Sequence, residues 1–96
     1  MKAGGDEVSV KELKKMIKKG DYRSTVGSNV SGLLQNNSNF KIFHGKSNTE
    51  DGAVWSAKKN AKSNGIQDNT PQAAQSKTVV RTVGGSYEVI LIVPIR

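Results

Sequence analysis

The chain of 96 residues has no cysteine and one histidine, which excludes a disulfide framework and leaves too few soft ligands for a zinc centre. It has no run of 18 apolar residues and no charged-then-apolar leader at its start, so neither a membrane span nor a secretory signal is expected. Acidic residues number 8 against 15 Lys and Arg, and their scatter argues against a glycosidase pair or a hard-cation cage. We therefore expect a soluble, cytoplasmic chain with no metal and no cofactor.

Several motifs of nucleotide and nucleophile chemistry are also missing. The sequence contains no Gly-x-x-x-x-Gly-Lys-Ser/Thr loop and no Gly-x-Gly-x-x-Gly after a predicted strand, so it lacks the phosphate cradles that those loops form. There is no Gly-x-Ser-x-Gly elbow for a nucleophilic serine. What the sequence does contain is a set of structural signals and an excess of positive charge.

A capping box marks the start of the first helix. Ser9 is followed three residues later by Glu12, so the hydroxyl can accept the Glu12 amide while the carboxylate accepts the Ser9 amide. Gly20 after two lysines predicts a left-handed stop with cations at the negative end of the helix dipole. The spacing predicts a helix over 10–19 with one apolar face and one lysine face. The lysine face consists of Lys11, Lys14, Lys15, Lys18 and Lys19.

The middle of the chain predicts short elements. Polar residues around a few apolar ones indicate a short helix from Ser28, and residues 40–44 indicate a strand ended by Gly45. Because Phe43 falls on the face opposite Phe40, either both faces of this strand are covered or Phe43 is exposed.

A second Ser-x-x-Glu box, at Ser47 and Glu50, predicts another helix over roughly 52–63, with Gly65 as its stop. Its packing stripe consists of the small residues Val54, Ala57 and Ala61. A stripe this small buries little area, so we expect a surface helix. Residues 64–77 show no period and predict a mobile loop.

Two apolar runs joined by Gly84-Gly85 predict a hairpin at the end of the chain. Pairing across this turn places Arg81 opposite Glu88 and Val80 opposite Val89, so opposite charges and apolar residues both match. The run 89–93 is apolar at every position, which predicts a strand that is covered on both faces and interior to the sheet.

Together these elements predict an α+β fold, in which an N-terminal amphipathic helix packs on a small antiparallel sheet that ends in a C-terminal β-hairpin. We expect one small basic domain over 1–96, with residues 1–8 as a flexible N-terminus. Only 34% of the residues are hydrophobic, so the core should be thin. A protein partner or a second copy of the chain could then supply the cover that the last strand needs.

The formal net charge of +7 indicates binding to a polyanion, because clustered cations release counterions from a nucleic-acid backbone. The predicted contacts lie on two helix faces. They are Lys11, Lys14, Lys15 and Lys18 on the first helix and Trp55, Lys58, Lys59 and Lys62 on the later one. An indole among ammonium groups offers an unpaired base a stacking surface, so RNA is expected in preference to DNA. In the alternative interpretation, the lysines are ordinary solvated residues and Trp55 folds into the core.

A metal-independent ribonuclease is a further hypothesis. His44 is the one side chain suited to proton transfer near neutral pH, and Arg81 and Glu88 could supply a cation and an acid for cleavage by the 2′-hydroxyl. The alternative is that His44 is an ordinary strand-end residue and that Arg81 and Glu88 form a cross-strand ion pair.

A lysine-rich helix ending at Gly20, followed by a basic antiparallel sheet, resembles in outline the small bacterial ribonuclease toxins. No catalytic motif of such toxins matches this chain residue by residue, so the resemblance assigns no site. A second class of function is a structural or adaptor module without catalytic activity, such as a phage, plasmid or assembly component. A third, less favoured, is association with anionic membrane surfaces through the first helix.

Overall fold

The computed structural model describes residues 5–25, 29–66 and 74–95, which form three helices and a five-stranded antiparallel sheet. The elements in chain order are β1 (Asp6–Ser9), α1 (Val10–Lys19), β2 (Arg23–Ser24), α2 (Val30–Asn36), β3 (Asn39–Ser47), α3 (Glu50–Ser63), β4 (Lys77–Val83) and β5 (Ser86–Pro94). The strands are arranged in the order β1-β3-β5-β4-β2. The predicted α+β fold is therefore confirmed.

The last strand, β5, lies at the centre of the sheet, and helices of the same chain cover both of its faces. Ile90 packs in one cluster with Leu13 of α1 and Leu33 of α2. The next residue, Leu91, points to the opposite face and packs with Ala57 of α3. The prediction that this strand is interior and doubly covered is confirmed, and the cover comes from within the chain.

The β4–β5 hairpin has the predicted register. Val80 pairs with Val89 and Arg81 pairs with Glu88. Gly84 and Gly85 both have positive φ, at 53° and 84°, which is the backbone that a two-residue type I′ turn requires and that glycine adopts without steric cost. Turn chemistry and cross-strand matching therefore fix the same pairing.

The first helix has the predicted bounds, Val10–Lys19, but its left-handed stop lies one residue later than predicted. The capping box is present: the Ser9 hydroxyl accepts the Glu12 amide, and the carboxylate accepts the Ser9 amide. The left-handed stop at Gly20 is wrong, because Gly20 has φ −89° and Asp21 takes the positive φ of 57°. The Tyr22 amide donates to the Ile17 carbonyl, 3.0 Å away, as in a Schellman ending whose left-handed residue is Asp21.

Gly20 is needed for space, not for its backbone angles. A Cβ at this position would lie 2.6 Å from the Tyr22 ring and 3.0 Å from Arg81 Nη1. The glycine therefore lets the Tyr22 ring and the Arg81 guanidinium approach the C-terminal end of α1.

The strand predicted over 40–44 does not end at Gly45. β3 continues to Ser47, which pairs with Tyr87, and Gly45 is buried under α3. A Cβ at Gly45 would overlap the backbone of Ala53 and Ala57. The glycine thus permits close packing of α3 on the strand, and Phe43 is buried because α3 covers its face.

The start of α3 also differs from the prediction. The cap is Thr49, whose hydroxyl accepts the Gly52 amide at 3.0 Å, and not Ser47. Ser47 is the last residue of β3 and does not cap the helix, so the next hydroxyl along the chain, that of Thr49, is the cap. The predicted stop is confirmed: α3 ends at Ser63 and Gly65 has φ +93°.

Two edge strands were not predicted. β1 pairs with β3 and includes residues 6–8, which were expected to be flexible, while residues 1–4 lie outside the described ranges. β2 adds a two-residue pairing to β4. The predicted helix from Ser28 is α2, capped by Asn29, and Ser28 itself is not among the described residues.

Of the predicted mobile loop over 64–77, residues 67–73 lie outside the described part, and Lys77 belongs to β4. The longest helix, α3, has 14 residues. Within the ranges described, no helix combines the length and the hydropathy needed to cross a membrane.

Candidate nucleic-acid interface

The outer face of α3 follows from how its inner face packs. Ala53, Ala57 and Ala61 are buried against the sheet at helical spacing. Residues displaced by two positions from these alanines point away from the sheet, since each residue advances the helix by about 100°. Trp55 and Lys59 are such residues, whereas Lys58 and Lys62 follow Ala57 and Ala61 by one position and flank them. These four exposed residues are the α3 surface.

Trp55 is the largest exposed hydrophobic side chain among the described residues, with 64% of its surface in solvent. The Lys59 ammonium lies 5.1 Å from the ring centroid, which is cation–π distance. The interpretation that Trp55 folds into the core is therefore wrong. The α3 surface combines an open aromatic ring with ammonium groups less than two turns away.

Charge is distributed unevenly along α3. Its first turn carries Glu50 and Asp51, and Glu50 Oε1 lies 3.6 Å from Arg23 Nη2. Its lysines follow Trp55 toward the C-terminal end, and Lys62 lies in the last turn. The positive charge of the α3 surface therefore lies toward Lys62, away from the carboxylates of the first turn.

The other predicted lysine face lies on α1. All of its lysines are exposed, and the helix packs on the sheet through Leu13, which is fully buried. However, α1 covers the sheet face of Ile90, whereas α3 covers the face of Leu91. The structure thus places the two predicted lysine faces on opposite sides of the sheet.

The predicted residues Arg81 and Glu88 form an ion pair across the hairpin. Glu88 Oε1 accepts hydrogen bonds from Arg81 Nε at 2.9 Å and Nη2 at 2.7 Å. This hydrogen bonding to Glu88 is the main reason that the pKa of Arg81 is raised. Glu88 Oε2 also lies 3.9 Å from Lys46 Nζ. Both carboxylate oxygens of Glu88 therefore lie next to cationic groups, in agreement with the alternative that Arg81 and Glu88 form a cross-strand ion pair.

Arg81 also joins the hairpin to the end of α1. Its Nη1 donates to the Gly20 carbonyl at 3.4 Å, and its guanidinium carbon lies 4.8 Å from the centroid of the Tyr22 ring. Burial is the main cause of a raised pKa for the Tyr22 hydroxyl. Sequence reasoning missed Tyr22, because no local pattern connects it with a strand residue 59 positions later.

His44 is exposed on β3 and borders a cleft of about 390 Å³. The residues lining this cleft are His44, Gly45, Lys46, Ser56, Asn60 and Glu88. Asn60 Nδ2 donates to the His44 carbonyl at 2.6 Å, which ties α3 to the strand. The cleft brings His44 and Glu88 to one surface, whereas Arg81 does not line it and contacts Glu88 through the ion pair.

Among the described residues, no group of three or more His, Asp or Glu side chains is placed to hold an ion.

No protein-family model, curated protein or solved structure matches this chain.

Proposed function

We propose that the chain binds single-stranded nucleic acid, RNA in the first instance, through the α3 surface. The observation that carries the proposal is the exposed Trp55 ring beside Lys59. Stacking on an aromatic ring contributes about 1–3 kcal/mol per base and needs an unpaired base. Nearby ammonium groups add contacts to phosphates that do not depend on sequence.

The packing of the sheet favours this proposal over an adaptor role. The adaptor hypothesis rested on an apolar last strand that lacked cover, and both faces of β5 are covered by helices of the chain itself. Among the described residues, the exposed large hydrophobic side chains are Trp55 and Val83. In the part of the chain that the structure describes, the faces of β5 therefore offer no apolar surface for a partner chain, and an adaptor would have to dock at the edge strands β1 or β2.

The ribonuclease hypothesis stays a separate prediction. It requires His44 and Glu88 to exchange protons with RNA, while Glu88 Oε1 already accepts two hydrogen bonds from Arg81. Incubation with end-labelled RNA tests it directly. Cleavage products that disappear in His44→Ala would support the hypothesis, and RNA that stays full length would contradict it.

The binding proposal is tested by fluorescence anisotropy with a labelled uridine hexanucleotide. Trp55→Ala should weaken binding about fivefold to a hundredfold, the equivalent of one lost stacking contact. The matched control is Val83→Ala, which removes the other exposed hydrophobic side chain, 44% exposed and located on the hairpin. This control should bind like the unmodified protein.

Salt dependence separates stacking from charge. The triple variant Lys58→Gln, Lys59→Gln, Lys62→Gln should reduce the slope of log affinity against log salt by about 2, since each phosphate contact on a single strand contributes roughly 0.7. Trp55→Ala should lower affinity and leave that slope unchanged. Unchanged affinity in both variants would contradict the proposal.

A further inference from the structure

The two lysine-bearing helices lie back to back across the sheet. In β4, Val79 packs in the cluster that includes Leu13 of α1, and its neighbour Val80 packs in the cluster that includes Ala57 of α3. Each helix buries its apolar side on the sheet and turns its lysines outward. The charged faces of α1 and α3 therefore point in opposite directions.

The two faces are also electrostatically independent. A helix with its side chains is about 10 Å across and the layers are stacked about 10 Å apart, so the outward lysines of α1 and α3 are separated by roughly 20 Å or more. This separation exceeds the Debye length of about 10 Å at 0.1 M salt. An anion bound on one face is therefore screened from an anion bound on the other.

The charge on α1 is available to a ligand. Among the described residues, the α1 lysines, which are Lys11, Lys14, Lys15, Lys18 and Lys19, make no ion pair with a carboxylate. Glu12, the acidic residue within the helix, is held by the capping box at the N-terminal end. The α1 face is therefore a stripe of lysines that are exposed and make no ion pair with a described carboxylate.

A groove runs beside this stripe, between α1 and α2, with a volume of about 310 Å³. Its lining residues are Lys14, Ile17, Lys18, Asp21, Tyr22 and Leu34. The groove combines two ammonium groups and one carboxylate, that of Asp21, with half-buried apolar and aromatic side chains, so its lining keeps a net positive charge. This is the composition that accommodates a base next to its phosphate.

From these observations we infer that α1 and its groove form a second site for single-stranded nucleic acid, so that one molecule holds two strands on opposite sides of its sheet. The inference rests on the proposed function of the α3 surface. The chain is then a bridging protein, which joins separate strands or distant parts of one strand.

Native mass spectrometry with a uridine hexanucleotide in excess tests this inference, because it counts the strands bound to one protein molecule. Two variants are matched in charge: Lys11→Gln, Lys14→Gln, Lys18→Gln on α1, and Lys58→Gln, Lys59→Gln, Lys62→Gln on α3. Each lowers the formal charge of +7 by three. The unmodified protein should bind two strands and each variant should bind one.

The possible results separate the inference from the proposed function. One strand on the unmodified protein, lost only in the α3 variant, would overturn the second site and leave the α3 surface intact. Two strands retained by the α1 variant would overturn the assignment to α1. Two strands retained by the α3 variant and by Trp55→Ala would overturn the proposed function.

Discussion

At the scale of single residues, the two ends of α1 depend on a few specific residues: Ser9 and Glu12 at its start, and Gly20 and Asp21 at its end. Ser9 and Glu12 are three positions apart and make the contacts that their spacing predicts. Asp21 could not be predicted as the left-handed residue, because Gly20 is the better residue for that conformation. Gly20 is required for a different reason: a Cβ at this position would overlap the Tyr22 ring.

Asp21→Gly should stabilise the protein by about 0.5–1 kcal/mol, because it relieves a side chain at φ 57° of the cost that L-residues have in that region. Urea unfolding measures the change. The control is Asp21→Ala, which keeps a Cβ at the same angle and should give no stabilisation. Equal stabilities of Asp21→Gly and Asp21→Ala would contradict the assignment.

Tyr22 predicts a dependence of stability on alkaline pH. Burial raises its pKa above 10.0 in the folded chain, so above that pH the unfolded chain releases a proton that the folded chain retains. Its contribution to stability is therefore full below about pH 10 and is lost as the pH rises through the folded pKa. Thermal unfolding from pH 9 to pH 11 should show a smaller loss of stability in Tyr22→Phe. Parallel curves for the two proteins would exclude this contribution.

At the scale of elements, the strongly patterned segments were predictable and the weakly patterned ones were not. The hairpin register follows from Gly84-Gly85 and from the opposite charges of Arg81 and Glu88. β1 and β2 have four and two residues, too few for a period to be visible. Their pairing depends on the sheet edges that the rest of the chain creates.

Gly45 lies within β3 and allows α3 to pack closely on the strand. Its sequence neighbours do not reveal this contact, so the local pattern wrongly predicts a strand end there. Gly45→Ala should destabilise the protein by about 1–3 kcal/mol, since the new methyl group would overlap the backbone of Ala53 and Ala57. Gly32→Ala in α2 is the matched control: its Cβ would come no closer than 3.4 Å to Asn29. It should stabilise the protein by up to about 1 kcal/mol. Denaturant midpoints check both, and equal effects would contradict the close packing of α3.

At the scale of the whole molecule, the candidate site was predictable as residue types on helix faces, because helical spacing groups Trp55 with Lys58, Lys59 and Lys62. The exposure of Trp55 was not predictable, because the sequence is equally compatible with a tryptophan that is buried in a thin hydrophobic core. The separation of α1 from α3 was not predictable either, because it depends on which sheet face each helix covers.

The central claim is that an unpaired base stacks on the exposed indole of α3. Trp55 is the only tryptophan of the chain, so its fluorescence reports this position alone. Titration with a uridine hexanucleotide should quench that emission in step with binding measured by anisotropy, and high salt should reverse both. Binding that leaves the emission of Trp55 unchanged would contradict the account.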